Sequence, residues 1–310
     1  LASHWRYAHI NAIRADGINP ELLGMRGVAS EDSVRRGMKA MDEAASGQWL
    51  KAHLKASYEP LLQEPWILDV DTTVKPLYGH QQDAKVGYNP TKPGRPSHAY
   101  HSYFVANIRM VLDMEVQAGN QTAPLFAQPE LWAFLDGLGE RNRPIFLRGD
   151  SHWGAEKAMV GAEERGLGYL FKLKQSGHVK KLIGQIFRKE QWVEAGQQWL
   201  GREEVLRLSK ERRVVVLRRP LKSQPAEDAE TVGPQKSKRK AAKQLSLDLP
   251  ELTYQGTQYE YVVLVTSLTD EVGIVAQHYR DRGDAENNFD ELKNQWGWAG
   301  FTTQDRKRCQ

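Results

Sequence analysis

The chain has 310 residues, 40% hydrophobic and 26% charged; a chain of this length and composition buries most of its unfolded surface, which excludes dominant disorder and leaves room for one large domain or two ordinary ones. Its one cysteine, Cys309, excludes an internal disulfide framework and a cysteine-built zinc site, and no apolar run approaches the roughly 20 residues of a membrane span. With 43 Lys and Arg against 39 Asp and Glu the formal charge is +4, a slight bias towards acidic partners such as nucleic acid. A reducing, cytoplasmic location is the expectation, with neither secretion nor membrane insertion, because no charged-then-apolar leader opens the chain. The ends, Leu1 and Arg308-Cys309-Gln310, are expected to be those of a fragment.

Residues 1 to 65 read as a helical module: Ser30 is placed to cap a segment with Glu31 and Asp32 in its first turn and Val34, Met38 and Met41 at helical spacing. Trp66 to Val74, a β-branched run between Pro65 and Pro76, reads as the first core strand. A stretch rich in Gly and Pro follows. Residues 98 to 118 then read as two strands turning near Asn107, 129 to 140 as a helix, and Pro144 to Leu147 as a buried strand running into Arg148-Gly149-Asp150. A helix over 154 to 166 and a strand over Tyr169 to Leu173 complete a mixed α/β order. From 176 to 256 the pattern is that of a β-rich insertion, alternating and Trp- and Arg-rich over 191 to 219, then a flexible basic linker over 220 to 250. Core sequence resumes with the strand Tyr259 to Val265 and a long helix from about 275 to 295.

Acids mark the ends of two core strands: Asp71 in the first and Asp150 just after the fourth. Carboxylates at one edge of buried strands are a recurrent way of holding Mg²⁺, which takes oxygen ligands, although aspartates at strand ends also cap turns. Asp69 lies on the same face as Asp71 by strand alternation, so the strand pattern does not choose between them. On a wheel of the late helix, Tyr279, Arg282, Glu286 and Lys293 fall within an arc of roughly 60°. A hydroxyl and two cations flanking a carboxylate make a poor core stripe and a good phosphate-facing one, with a solvated charged face as the competing reading. Gly283 interrupts the pattern, and Asp290 shares the stripe, so the wheel does not choose between Glu286 and Asp290.

Tyr279-x2-Arg282-x3-Glu286-x6-Lys293 resembles, spacing for spacing, the Tyr-Arg-Glu-Lys signature of the bacterial insertion-sequence transposases of the DDE type, group 1. The resemblance covers nearly the whole chain, from a helical DNA-binding part through Asp71 in Asp-Thr-Thr and Asp150 to Glu286 on the last helix. It implies an RNase H-like core interrupted by a β-rich insertion over 176 to 256, with core parts at 66 to 175 and 257 to 310. It also implies Asp71, Asp150 and Glu286 as ligands of two Mg²⁺ ions, for which Mn²⁺ can substitute, and Tyr279, Arg282 and Lys293 as contacts to the DNA backbone. It selects Glu286 over Asp290, which the wheel did not. The expected activity is cleavage and strand transfer at element ends, by a homodimer on DNA in the bacterial nucleoid. The alternatives are an RNase H-like nuclease without strand transfer and an inactive DNA-binding fragment.

Accessory signals are weaker. Lys92-Pro93-Gly94-Arg95-Pro96 is similar to segments that insert an arginine into the DNA minor groove, which makes Arg95 a candidate contact beside the plainer reading of a proline-rich turn. Lys236, Lys238, Arg239, Lys240 and Lys243 suit non-specific phosphate binding. Gln244 to Leu249 is similar to peptides that dock on the replication sliding clamp, against the reading of a small strand re-entering the core. His152, two residues after Asp150, is a candidate to assist a proton or phosphate, whereas His98 and His101 read as structural.

Overall fold

The computed structural model describes residues 7–89, 92–108, 110–221, 253–254 and 256–295. The peptide Gln244 to Leu249 and the basic run before it lie outside the described residues, as does Cys309. The N-terminal segment is helical: α1 (Ile10–Ala15), α2 (Asn19–Leu22), α3 (Glu31–Ala40) and α4 (Glu43–Tyr58). Ser30 and Asp42 start the last two, each side chain accepting the backbone N–H three residues on, from Ser33 at 3.1 Å and Ala45 at 2.9 Å. The chain continues through β1 (Ile67–Pro76), β2 (Lys85–Val86), β3 (Pro96–Val105), β4 (Met110–Ala118), α5 (Pro124–Gly137), β5 (Phe146–Gly149), α6 (Glu156–Glu163) and β6 (Gly168–Lys172). Next come α7 (Gly177–Ile186), β7 (Val193–Glu194), β8 (Leu200–Arg207), β9 (Glu211–Pro220), β10 (Thr253–Tyr254), β11 (Thr257–Thr266), α8 (Val272–Arg280) and α9 (Gly283–Asn294). Among the described residues no helix is long and apolar enough to cross a membrane.

Two compact units divide these elements: Leu1–Trp66 with Asp71–Arg143 and Gly283–Gln310, and Ile67–Val70 with Pro144–Arg282. Strand β1 therefore contributes a half to each. In the first unit β3 hydrogen-bonds to β1, β2 and β4, antiparallel to β4 from His98 opposite Ala118 to Val105 opposite Met110. Its core holds Tyr58, Leu62, Tyr103, Leu112, Leu131 and Leu135, with the Tyr103 and Phe134 rings stacked at 5.9 Å. In the second unit the ladder runs β1-β5-β6-β11-β9-β8-β7, with the β1-β5 and β5-β6 pairs parallel and the remainder antiparallel. Parallel strands covered on both faces are apolar throughout, which is why Phe146 and Leu147 are both buried. The order β4-β3-β1 followed by β1-β5-β6, with helix α5 between β4 and β5, is a mixed α/β arrangement.

The segment beyond residue 176 opens with a helix rather than strand: Ser176 caps α7, accepting the Val179 N–H at 3.4 Å, and Val179, Leu182, Ile183 and Ile186 bury one helical face. Strands β7 to β9 then add to the β11 edge of the second unit. At Gly201 of β8 an added Cβ would lie 2.4 Å from Val272 Cγ1, so the glycine lets α8 approach the strand closely. Residues expected to form one helix from 275 to 295 form two. The Arg282 N–H bonds to Tyr279 O at 3.3 Å, three residues back, and the turn Asp281–Arg282 followed by Gly283 separates α8 from α9. The boundary between the two units falls at the same place, so the single wheel over Tyr279, Arg282, Glu286 and Lys293 does not hold. Glu286 and Lys293, seven residues apart within α9, still share a face.

Candidate active site

Within the first unit Asp71 sits in the second half of β1, 8% exposed. Its Oδ1 accepts the Thr72 N–H at 2.7 Å, and its backbone carbonyl accepts the Ser102 hydroxyl at 3.3 Å. Thr73 shares the face of Asp71, two residues on, and its hydroxyl accepts from Lys293 Nζ at 2.8 Å. Lys293 is therefore held beside Asp71. Burial pushes its ammonium below the usual range, and the charges of Asp71 and Asp290 oppose that. Phe289, one turn earlier in α9, packs edge-on against Phe104 of β3 at 5.3 Å and fixes the helix that carries Lys293 and Glu286. Of Glu286 the backbone position in the first turn of α9 is described, and its side chain lies outside the described atoms. Asp290 is exposed, with Oδ1 accepting from Asn294 Nδ2 at 2.7 Å. Arg95, just before β3, lies with Lys92 on the exposed Tyr78 ring, their charged groups 4.4 Å and 4.6 Å from its centre.

Behind Thr72 stands His101 of β3, which is fully buried. Its Nδ1 lies 2.8 Å from Thr72 Oγ1 and its Nε2 2.9 Å from the Gln121 carbonyl oxygen. Burial drives this imidazole down to about 4, against the pull of the Gln121 carbonyl, so the ring is neutral at ordinary pH. Since a carbonyl only accepts, Nε2 carries the proton and Nδ1 accepts from the Thr72 hydroxyl.

Within the second unit Asp150 follows β5 in the sequence Arg148-Gly149-Asp150-Ser151-His152-Trp153-Gly154. The turn is tightly built: a Cβ on Gly149 would meet Trp153 Cβ at 2.8 Å, and one on Gly154 would meet the Lys172 carbonyl oxygen at 2.1 Å. Trp153 is fully buried and anchors the turn. Asp150 Oδ1 accepts the His152 N–H at 2.9 Å, and Oδ2 faces His152 Nδ1 at 2.8 Å. Burial alone would raise the Asp150 carboxyl, but the His152 hydrogen bond and the charges of His152 and Arg282 outweigh it and hold the acid below its usual value. Arg282, 7% exposed in the turn after α8, thus acts electrostatically on Asp150. Tyr279 packs against the apolar cluster of Phe146, Leu170, Val275 and Ala276.

The other acid of β1 has a different environment. Both oxygens of Asp69 receive Arg148, Nε to Oδ1 at 2.6 Å and Nη2 to Oδ2 at 2.7 Å, with both side chains 1% exposed. The remaining Arg148 nitrogen, Nη1, donates to the His278 carbonyl in the last turn of α8. Sequence reasoning missed this pair, which lies 79 residues apart in the chain, and it missed the tie from His101 to Thr72. His152, which the sequence offers as an aid to a proton or phosphate, is in the structure a hydrogen-bond partner of Asp150.

The model of the family described as transposase DDE domain, group 1, matches residues 6–308. The chain belongs to that family. No curated protein matches this transposase domain. Among solved structures it is similar to a piggyBac transposase synaptic complex with hairpin DNA, at TM-score 0.43 and 10% identity over 92% of this chain and 58% of that one. It is similar at TM-score 0.23 to the Mos1 transposase paired-end complex with left transposon end, 12% identical over 53% of this chain and 58% of the other. A Mos1 mariner paired end complex with Mn gives TM-score 0.23 and 13% identity over 58% and 64%. The transposase domain thus spans 58–64% of the length of these chains.

Proposed function

We propose that this transposase domain catalyses cleavage and strand transfer of phosphodiesters at the ends of a mobile DNA element, with Asp71, Asp150 and Glu286 as its catalytic acids. The observation that carries the reading is the contrast on β1: Asp69 is committed through both oxygens to Arg148, while Asp71 lies beside Lys293 on the face that Thr73 shares. Among the described residues no group of three or more metal-ligating side chains is assembled, and the third acid's side chain is not among them. The donor chemistry nevertheless fits a hard divalent cation, since Asp71 and Asp150 offer carboxylate oxygens and Asp150 is held ionised. Two Mg²⁺ or Mn²⁺ ions, when bound, make water or a 3′ hydroxyl a better nucleophile and stabilise the leaving oxygen.

The chain's own residues hold and orient. Thr72 N–H fixes the rotamer of Asp71, and the turn from Asp150 to Trp153 fixes that of Asp150. Arg282, Lys293, Arg95 and the Tyr279 hydroxyl are the proposed donors to DNA phosphates, the cations acting without regard to sequence. His152, on Asp150, is placed to receive or return a proton at its ring nitrogen. The domain is proposed to act as a homodimer on paired element ends.

The test incubates the chain with a labelled duplex library of candidate ends, with Mg²⁺, with Ca²⁺ and with neither, and sequences the 3′ termini and joined products. Cleavage at one end sequence followed by joining, lost in Glu286→Ala with end binding retained, is the expected result. Cleavage without joining would replace transposition by nuclease activity. Binding without Mg²⁺-dependent cleavage would leave a DNA-binding fragment.

A further inference from the structure

We infer that His101 and Thr72 are positioning residues that orient Asp71 through a buried hydrogen-bond relay; this rests on the reading of Asp71 as a catalytic acid. Thr72 is the centre of the relay and donates both ways, its hydroxyl towards His101 and its backbone N–H to Asp71. His101 Nε2–H donates to the Gln121 carbonyl at 2.9 Å, which leaves Nδ1 to accept the Thr72 hydroxyl at 2.8 Å. The Thr72 backbone N–H then donates to Asp71 Oδ1 at 2.7 Å. Ser102, the neighbour of His101 on β3, adds the 3.3 Å bond to the Asp71 carbonyl, so adjacent residues of one strand grip Asp71 and the residue after it.

Three features separate this from ordinary core packing. His101 and Ser102 are fully buried, a poor place for polar groups without a defined task in hydrogen bonding. Strand alternation puts the Thr72 side chain on the face opposite Asp71, so the bond to His101 holds residue 72 from the other side of the strand. A hydroxyl is also required at residue 72 by the acceptor at Nδ1, which gives the Asp-Thr-Thr sequence a physical reason: Thr72 serves His101, and Thr73 receives Lys293. Groups that orient a metal-binding carboxylate change metal affinity or rate by roughly 10- to 100-fold when removed.

The experiment uses the full chain with Asp71→Asn, Thr72→Val, Thr72→Ser and His101→Asn. Three quantities are read: duplex-end binding, cleavage rate, and Mn²⁺ binding to the chain followed by the electron paramagnetic resonance of free Mn²⁺. Thr72→Val keeps the shape and removes the hydroxyl. It is expected to weaken Mn²⁺ binding and slow cleavage about tenfold or more, with end binding unchanged and Thr72→Ser restoring both. His101→Asn, which keeps an acceptor and loses the Gln121 bond, is expected to fall between them. Thr72→Val with Mn²⁺ binding and cleavage like the parent would overturn the relay. So would equal losses in Thr72→Val and Thr72→Ser that track a lower melting temperature, which would make Thr72 merely structural. If Asp71→Asn itself binds Mn²⁺ and cleaves normally, the reading of Asp71 fails instead, whatever Thr72→Val shows.

Discussion

The two halves of β1 each carry one buried acid, and they treat it in opposite ways. In Ile67–Val70, Asp69 is matched by a guanidinium whose geometry fits both carboxylate oxygens and whose third nitrogen holds the end of α8. In Asp71–Pro76, Asp71 is oriented by a backbone N–H and stands beside a half-buried lysine. A buried carboxylate saturated by arginine belongs to the architecture. Asp71 is instead oriented by the N–H of the next residue, with the ammonium of Lys293 nearby. Two residues of spacing therefore separate a structural acid from a candidate catalytic one.

The comparison breaks most sharply at the catalytic acids. Asp71→Asn and Asp150→Asn are each expected to lower cleavage about a thousandfold or more, the rate equivalent of several kcal/mol, while melting temperature and duplex binding change little. Asp69→Ala should do the reverse. Removing one partner of a buried pair costs about 3–5 kcal/mol of stability, read as a lower urea midpoint, and Asp69→Leu with Arg148→Met should recover much of that loss. Parent-like urea stability in Asp69→Ala would erase the distinction between the two halves.

A third buried acid sharpens the rule. Glu115 of β4 receives the Tyr103 hydroxyl at 2.5 Å and Gln117 Nε2 at 3.1 Å, with no arginine among the partners that set its ionisation. Burial pushes its carboxyl from 4.5 up to about 7, helped by the charges of Glu130 and Asp113 and opposed by its two hydrogen bonds. Because the folded value is the higher one, its contribution to stability is full below about 4.5 and is lost as pH rises through about 7. Unfolding free energy in the parent is expected to fall relative to Glu115→Gln by about 1.4 kcal/mol per pH unit in that window; parallel pH profiles for the two proteins would contradict the assignment. The smallest effect is expected at Arg282, whose charge helps to keep Asp150 ionised. Arg282→Gln should shift the acid limb of the cleavage profile to higher pH, weaken DNA binding about tenfold and reduce the magnitude of its salt slope by about 1.

Much of the fold is legible in local pattern. The β-branched run of β1, the aromatic and β-branched content of β3 and β4 and the Ser30 cap each depend on residues within a few positions of one another, and the structure places these elements within a few residues of where the pattern does. The late helix departs from its pattern because a wheel assumes an unbroken i to i−4 ladder, and the ladder breaks between α8 and α9. Gly283 was visible as a weak point, yet the turn through Asp281 and Arg282 is set by how α8 and α9 each pack within its own unit. Helix α7 differs from the expected β-rich segment, and its local signal is the helical period of Val179, Leu182, Ile183 and Ile186, which precedes the alternating sequence of the strands.

By itself the sequence determined the types of most core elements, the mixed α/β order and the spacing of Asp71, Asp150 and the Tyr279 to Lys293 signature, since all of these are properties of neighbouring residues. Alternation alone left Asp69 and Asp71 equivalent, because a period of two assigns a face and not a partner. Only the tertiary structure gave them different partners, by bringing Arg148 from 79 residues away onto Asp69 and His101 from 29 residues away onto Thr72. Long-range partners of that kind come from the closure of the strand ladder, which no local periodicity encodes.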